Sequence, residues 1–215
     1  IFKKGSPSSG LYRVKVYNEK GNPVNTGRGL FAAAFTDRFP RIPVEEEGRL
    51  HDPVLRESFI EQVFALKRWR DALKKRPTVG NLVDFHTREK LLLMAHSPKH
   101  YRAMGKLVAG GKSMTPEALY QTYESQLMQA LNLRATVAKN TNVLMHILGY
   151  FKKQLSADEK QEVLALIENY RSGRLPLIVP VTLMNHFVRK YRQPYLGEQT
   201  YLNPHPLDLQ LRNHC

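Results

Sequence analysis

Five residues near the start, Ser6-Pro7-Ser8-Ser9-Gly10, have the types and spacing that point most directly to chemistry. Gly5 and Gly10 bracket a proline-stiffened turn behind the strand-like Ile1-Phe2-Lys3-Lys4. Such a turn presents successive backbone N–H groups and small side chains to one point at the end of a strand. On composition alone the same residues are an ordinary polar turn. Further on, Gly27-Arg28-Gly29 opens an apolar run, so a helix N-terminus with Arg28 beside it is either an anion site or a plain helix entry. Glu45-Glu46-Glu47 invites a metal or acid/base reading. Adjacent carboxylates in an extended segment point to different sides, and the triplet reads better as a solvated turn.

In the second half, Asp84, His86, Arg88 and Lys90 read as a polar helix face on which two cations and an imidazole bind phosphate, or as solvated charges on an amphipathic helix. His96 and His100 have the i, i+4 spacing of a helical metal pair, but Pro98 stands between them and no His-Glu-x-x-His pattern occurs. Gly110-Gly111-Lys112-Ser113 has the ending of a phosphate loop without its first glycine, which would be Lys106, and without a preceding strand, so nucleotide hydrolysis is excluded there. Tyrosine precedes arginine at Tyr12-Arg13, Tyr101-Arg102, Tyr170-Arg171 and Tyr191-Arg192. A tyrosine ring can stack on a base while the cation meets phosphate, or it can serve as a half-buried packing residue. Arg28, His86, Arg88, Arg102 and Arg192 are thus the candidate anion-binding residues.

These groups must be positioned by two kinds of chain. Leu11 to Tyr17 alternates like a half-exposed strand, Asn18 to Pro23 is a turn cluster, and Leu30 to Phe39 is a short helix stopped by Pro40. From Asp52-Pro53, an N-cap followed by a first-turn proline, an apolar stripe runs to Trp69 and fades into the basic stretch Lys67 to Arg76. Residues 78–202 read as helices throughout: one ended by Ser97-Pro98, one ended by Gly110-Gly111, and a long one from Thr115-Pro116 through Phe151. Another follows the capping box Ser156 to Glu159 and ends at Gly173, and a last one covers Pro180 to Tyr191. The fold class expected is an α+β remnant of an α/β domain, residues 1–75, followed by an all-α multi-helix domain, residues 76–215, predominantly α overall.

Of 215 residues, 42% are hydrophobic, enough for a proper core. The net charge of +14 is spread over both parts, with 15 basic and 9 acidic residues in 1–75 and 18 basic and 10 acidic in 76–215, and it favours polyanionic partners. The single cysteine, Cys215, excludes an internal disulfide framework and fits a reducing cytoplasm. No segment has the apolar length of a membrane span, and the N-terminus lacks a signal-peptide profile, so a soluble cytoplasmic protein is expected.

The loop followed by Tyr12 to Tyr17, Gly27-Arg28-Gly29-Leu30-Phe31-Ala32, Pro43 to Leu50 and Leu55-Arg56-Glu57-Ser58-Phe59-Ile60 resembles the C-terminal half of the thiouracil desulfurase (TudS-like) family, over residues 1 to about 65. Asp84 to Lys90 with Leu91 to His96, Asn142 to Phe151, and Pro194-Tyr195-Leu196 resemble the YbgA-like helical domain, a family of uncertain function often fused behind it. In the desulfurase family the loop reads Ser-Pro-Ser-Cys-Gly, and its cysteine is one of three holding a [4Fe-4S] cluster, the other two lying upstream. The resemblance implies that Ser6 and Ser8 neighbour substrate or cluster and that Ser9 stands at the ligand position. A hydroxyl does not replace a thiolate on cluster iron.

The first expectation is therefore part of a non-redox desulfidase that removes sulfur from a thiolated pyrimidine base, nucleoside or nucleotide, with this chain itself holding no cluster and inactive. The second is a non-catalytic basic helical module that binds RNA, a nucleotide or a protein.

Overall fold

Strand alternation takes hold only at Val14. In the computed structural model, which describes residues 1–214, β1 (Val14–Tyr17) pairs antiparallel with β2 (Pro23–Gly27) in the register Val14 to Gly27 and Val16 to Asn25, with an irregularity at Val16/Tyr17. The turn between them is held by Asn18, whose Oδ1 accepts from Lys20 N and Asn22 N, while Gly21 takes the left-handed conformation that the hairpin needs. Helix α1 (Leu30–Arg38) follows, and Pro40 lies beyond its end as expected. Phe2, Leu11 and Ala32 form the small buried core of this part, with Phe35 and Val44 packed on it.

Helix α2 (Pro53–Leu73) begins where Asp52 Oδ1 accepts from Val54 N and Leu55 N. The chain divides into two compact units within this helix, after Val63. The second unit, from Phe64 onward, contains α3 (Val79–His96), α4 (Pro98–Ala109), α5 (Pro116–Leu131), α6 (Val137–Tyr150), α7 (Ala157–Arg171), α8 (Ile178–Lys190) and the single turn α9 (Pro194–Gly197). The fold is predominantly α. Helix starts follow the local chemistry. Thr78, Ser97, Thr115 and Thr136 each accept from the backbone N–H three residues on, and Ser156 with Glu159 completes a reciprocal capping box.

The expected single helix from Thr115 to Phe151 is two. The chain turns at Asn132 to Thr136, where Thr136 caps a new helix and the Leu133 carbonyl meets His96 Nδ1 at 2.7 Å. Lys139 Nζ holds the turn by donating to the carbonyls of His96 and Arg134. No glycine or proline marks this break, and only the short step from Leu131 to Leu133 in the apolar stripe hints at it.

Helix α3 packs on α4, α5 and α6 and is buried on several sides, as its run Leu91 to Ala95 requires. Trp69, fully buried, stacks on Tyr123 at 5.2 Å and meets Phe85 edge-on. Among the described residues, no helix is long and apolar enough to cross a membrane. Cys215 lies outside the described residues.

Candidate functional site

The loop at residues 6–10 is folded by its own first serine. Ser6 Oγ accepts from Ser8 N at 3.3 Å and Ser9 N at 3.1 Å, and the Ser6 carbonyl accepts from Gly10 N at 2.8 Å. The N–H groups that the turn was expected to aim at a ligand are therefore engaged within it. The start of α1 is engaged too. The Pro7 carbonyl accepts from Leu30 N, and the Ser8 carbonyl accepts from Phe31 N and Ala32 N. The glycines are what permit this approach, because a Cβ on Gly29 would collide with the Ser8 carbonyl and one on Gly10 with Val14. Arg28 reaches back along the helix instead, donating to Thr36 Oγ1 at 2.7 Å and pairing with Asp37 at 3.0 Å.

The carboxylate triplet clamps both ends of the loop, which corrects its reading as a solvated turn. Glu46 is 2% exposed, and its Oε1 accepts from Leu11 N at 2.9 Å and Tyr12 N at 3.1 Å. Glu47 Oε2 accepts from Lys4 N at 2.8 Å, before the loop. Buried Glu45 pairs with Arg49 at 2.7 Å, and the Arg49 guanidinium lies 4.9 Å from the centre of the Tyr12 ring. The phenol of Tyr12 is raised by burial first and then by the Glu45 charge. Phe2 N donates to the Glu45 carbonyl and Glu47 N to the Phe2 carbonyl, so the first strand-like residues pair alongside the triplet.

Ser9 lies on the wall of a recess of about 450 Å³, facing Phe2, Phe31, Phe35, Ile42 and Val44, with Lys3 the one charged residue in the lining. Phe2 meets Phe35 edge-on at 5.7 Å. Such a recess suits a flat heterocycle. Its donor set is a hydroxyl, an ammonium and hydrocarbon, without thiolate, imidazole or carboxylate, and does not fit an iron–sulfur cluster. Ser8 is exposed, and Ser6 is occupied in folding the loop.

In the helical unit the residues 84, 86, 88 and 90 do not share a face. Asp84 and Arg88 line a cleft with Arg68 and Glu89, whereas His86 is buried with Nδ1 3.1 Å from Tyr123 Oη. Burial, and secondarily Lys90, holds His86 down at about 4, so it carries no charge near neutral pH to attract an anion. His96 and His100 turn to the Leu133 carbonyl and Ser97 Oγ respectively. Among the described residues no group of three His, Cys, Asp or Glu is arranged to hold a metal.

The Tyr-Arg pairs also separate. Tyr170 is buried and bonded by Asn140, and Arg171 pairs with Glu168. Tyr191 donates to Glu159 at 2.8 Å and stacks on Phe187. Arg102 is exposed on α4, and exposed Arg192 takes a left-handed backbone just before α9.

An aromatic and basic cluster forms elsewhere. Tyr150, at the end of α6, stacks on Tyr195 of α9 at 5.1 Å and 26°, and Lys90 Nζ lies 4.7 Å from the centre of the Tyr195 ring. Tyr150 keeps 42% of its surface in solvent. Gln193 Nε2 donates to Gln154 Oε1 at 2.6 Å, which ties the segment carrying exposed Arg192 to the one carrying exposed Lys152 and Lys153. Spacing in the sequence does not disclose this pair, because both tyrosines stand in ordinary helix-end contexts far apart in the chain.

A family model described as a protein of unknown function (DUF1722) matches residues 90–206. The uncharacterized protein YbgA of Escherichia coli (strain K12) is 33% identical over 158 residues, covering 73% of this chain and 94% of that protein. No solved structure matches the chain.

Proposed function

The chain belongs to the DUF1722 family, whose members are described only as of unknown function, and we propose from the geometry of its helical unit that it is a binding polypeptide holding RNA. The observation that carries this reading is the Tyr150–Tyr195 stack with Lys90 beside it and Lys152, Lys153 and Arg192 close in the chain. A pre-stacked ring with solvent-exposed surface receives an unpaired base without first ordering a mobile side chain, and the cations meet the phosphates on either side of that base. The net charge of +14 supports the same partner. The protein works in the cytoplasm in this reading. Fluorescence anisotropy with a labelled single-stranded RNA tests it. Tyr150→Ala weakens binding roughly ten-fold, the size of one lost base stack. Affinity unchanged in Tyr150→Ala, or heparin bound as tightly as RNA, sinks the reading.

A second reading concerns the N-terminal unit, and the place of Ser9 on an apolar recess favours it. The unit is the C-terminal part of a desulfidase-like domain, and the recess takes a thiolated pyrimidine ring against its phenylalanine side chains. The helical unit then supplies the thiolated RNA or nucleotide that carries the base. The sulfur-removing chemistry belongs to a polypeptide with thiolates at the ligand positions, and this chain binds without turnover. Anaerobic reconstitution with iron and sulfide produces no thiolate-to-iron absorbance from this chain. It does so once Ser9→Cys is joined to an upstream segment bearing the two further cysteines. Equal affinity for thiouridine and uridine removes the thiolated base as ligand.

A further inference from the structure

The helical unit has a cleft of about 330 Å³ between the end of α2 and the exposed side of α3, lined in part by Arg68, Asp71, Lys75, Asn81, Asp84 and Arg88. Its charges divide into those already matched and those left over. Arg68 makes a two-pronged pair with Glu89, at 2.6 and 3.1 Å, and its remaining nitrogen donates to the Pro204 carbonyl at 2.8 Å. Asp71 is held between Lys67 and Lys74, at 2.7 and 2.6 Å, and these hydrogen bonds lower its carboxyl to about 2. Among the described residues the side chains of Arg88 and Lys75 have no hydrogen-bond or ion-pair partner, although Asp84 stands one turn before Arg88 on the same helix. The walls are fixed by contacts that leave those two cations uninvolved. Thr200 N and Oγ1 both donate to the Arg88 carbonyl, and Gln199 Nε2 donates to the Thr87 carbonyl. Phe85 contributes an apolar surface, and Asn81 keeps its Oδ1 as an acceptor after giving its amide to the Arg76 carbonyl.

We propose that this cleft binds a phosphate monoester on a nucleoside-sized body, the dianion lying between Arg88 and Lys75 and the N–H groups of the body meeting Asp84 and Asn81. Two unmatched cations against one unmatched carboxylate favour an anionic head. The volume exceeds what inorganic phosphate fills and is within the range of small-ligand sites. The site is separate from the Tyr150–Tyr195 stack in its residues, and it stands whether or not that stack binds RNA. A free mononucleotide and the terminal phosphate of an RNA share this chemistry.

Isothermal titration calorimetry with uridine monophosphate, uridine and a short RNA with or without a 5′-phosphate distinguishes the sources. Uridine monophosphate binds and uridine does not, and Arg88→Ala or Lys75→Ala weakens binding roughly ten-fold by removing one charge-assisted contact. Asp84→Asn tightens inorganic phosphate by removing a like charge, and Tyr150→Ala leaves the mononucleotide unaffected. An Arg88-dependent gain from the 5′-phosphate, with no binding of the mononucleotide, assigns the site to RNA ends. Absence of binding by both, or affinities that ignore Arg88→Ala and Lys75→Ala, overturns the proposal. Both side chains are exposed and uninvolved in the fold, so circular dichroism of these variants matches that of the parent.

Discussion

Glu46 shows how much a single carboxylate can fix. One oxygen takes the two backbone N–H groups that leave the Ser6–Gly10 loop, and the side chain is buried. Removing it strands two donors, so Glu46→Ala costs about 2 kcal/mol and speeds amide exchange at Leu11 and Tyr12, read by hydrogen-exchange mass spectrometry. His86 makes a pH signature. The unfolded chain takes up a proton near 6.5 and the folded chain only near 4, because burial opposes the charge. Between those values the unfolded state binds more protons. Stability therefore falls as pH drops from 6.5 to 4, by roughly 3 kcal/mol in all, and is unaffected by this group above that window. Urea unfolding of His86→Phe at pH 7 and pH 4.5 shows a smaller difference than the parent does.

At the scale of elements, α2 and α3 are joined by the Arg68–Glu89 pair, with Glu89 2% exposed and Arg68 also gripping the Pro204 carbonyl. Breaking such a pair from one side leaves a desolvated charge, so Glu89→Gln destabilises by about 3 kcal/mol. Adding Arg68→Met recovers much of that loss, and denaturant midpoints of the single and double variants measure both. The capping box of α7 has a second use, since Glu159 also receives Lys190 and Tyr191 from the end of α8. The Lys190 contact, then the Ser156 backbone, lowers Glu159 to about 2. Its stabilising effect is complete above the ordinary glutamate range and is lost as pH falls toward 2. Boundaries of this kind were legible, because Asp52, Ser97, Thr115 and Ser156 announce themselves by type and by the proline or glutamate that follows. The turn at Asn132 was not, since it is held by His96, which lies outside the segment, on the Leu133 carbonyl and on Lys139.

For the whole molecule, the excess of cations predicts that RNA binding weakens steeply with salt. If Lys90, Lys152, Lys153 and Arg192 each neutralise one phosphate, affinity falls about fifty-fold between 50 and 200 mM salt, and replacing Lys152 and Lys153 by glutamine roughly halves the logarithmic slope. Anisotropy titrations across that range check both values. By itself the sequence determined the helical class, the helix starts at Asp52, Ser97, Thr115 and Ser156, and the basic balance, because each rests on residue type or on partners three or four positions away. It also singled out the loop at Ser6 to Gly10. Only the tertiary structure decided that the Glu45–Glu47 triplet clamps this loop, that Tyr150 lies on Tyr195, and that His86 turns inward while Arg88 faces the cleft. Those pairings join positions tens of residues apart, where the packing of whole segments sets the distance and local spacing carries no information about it.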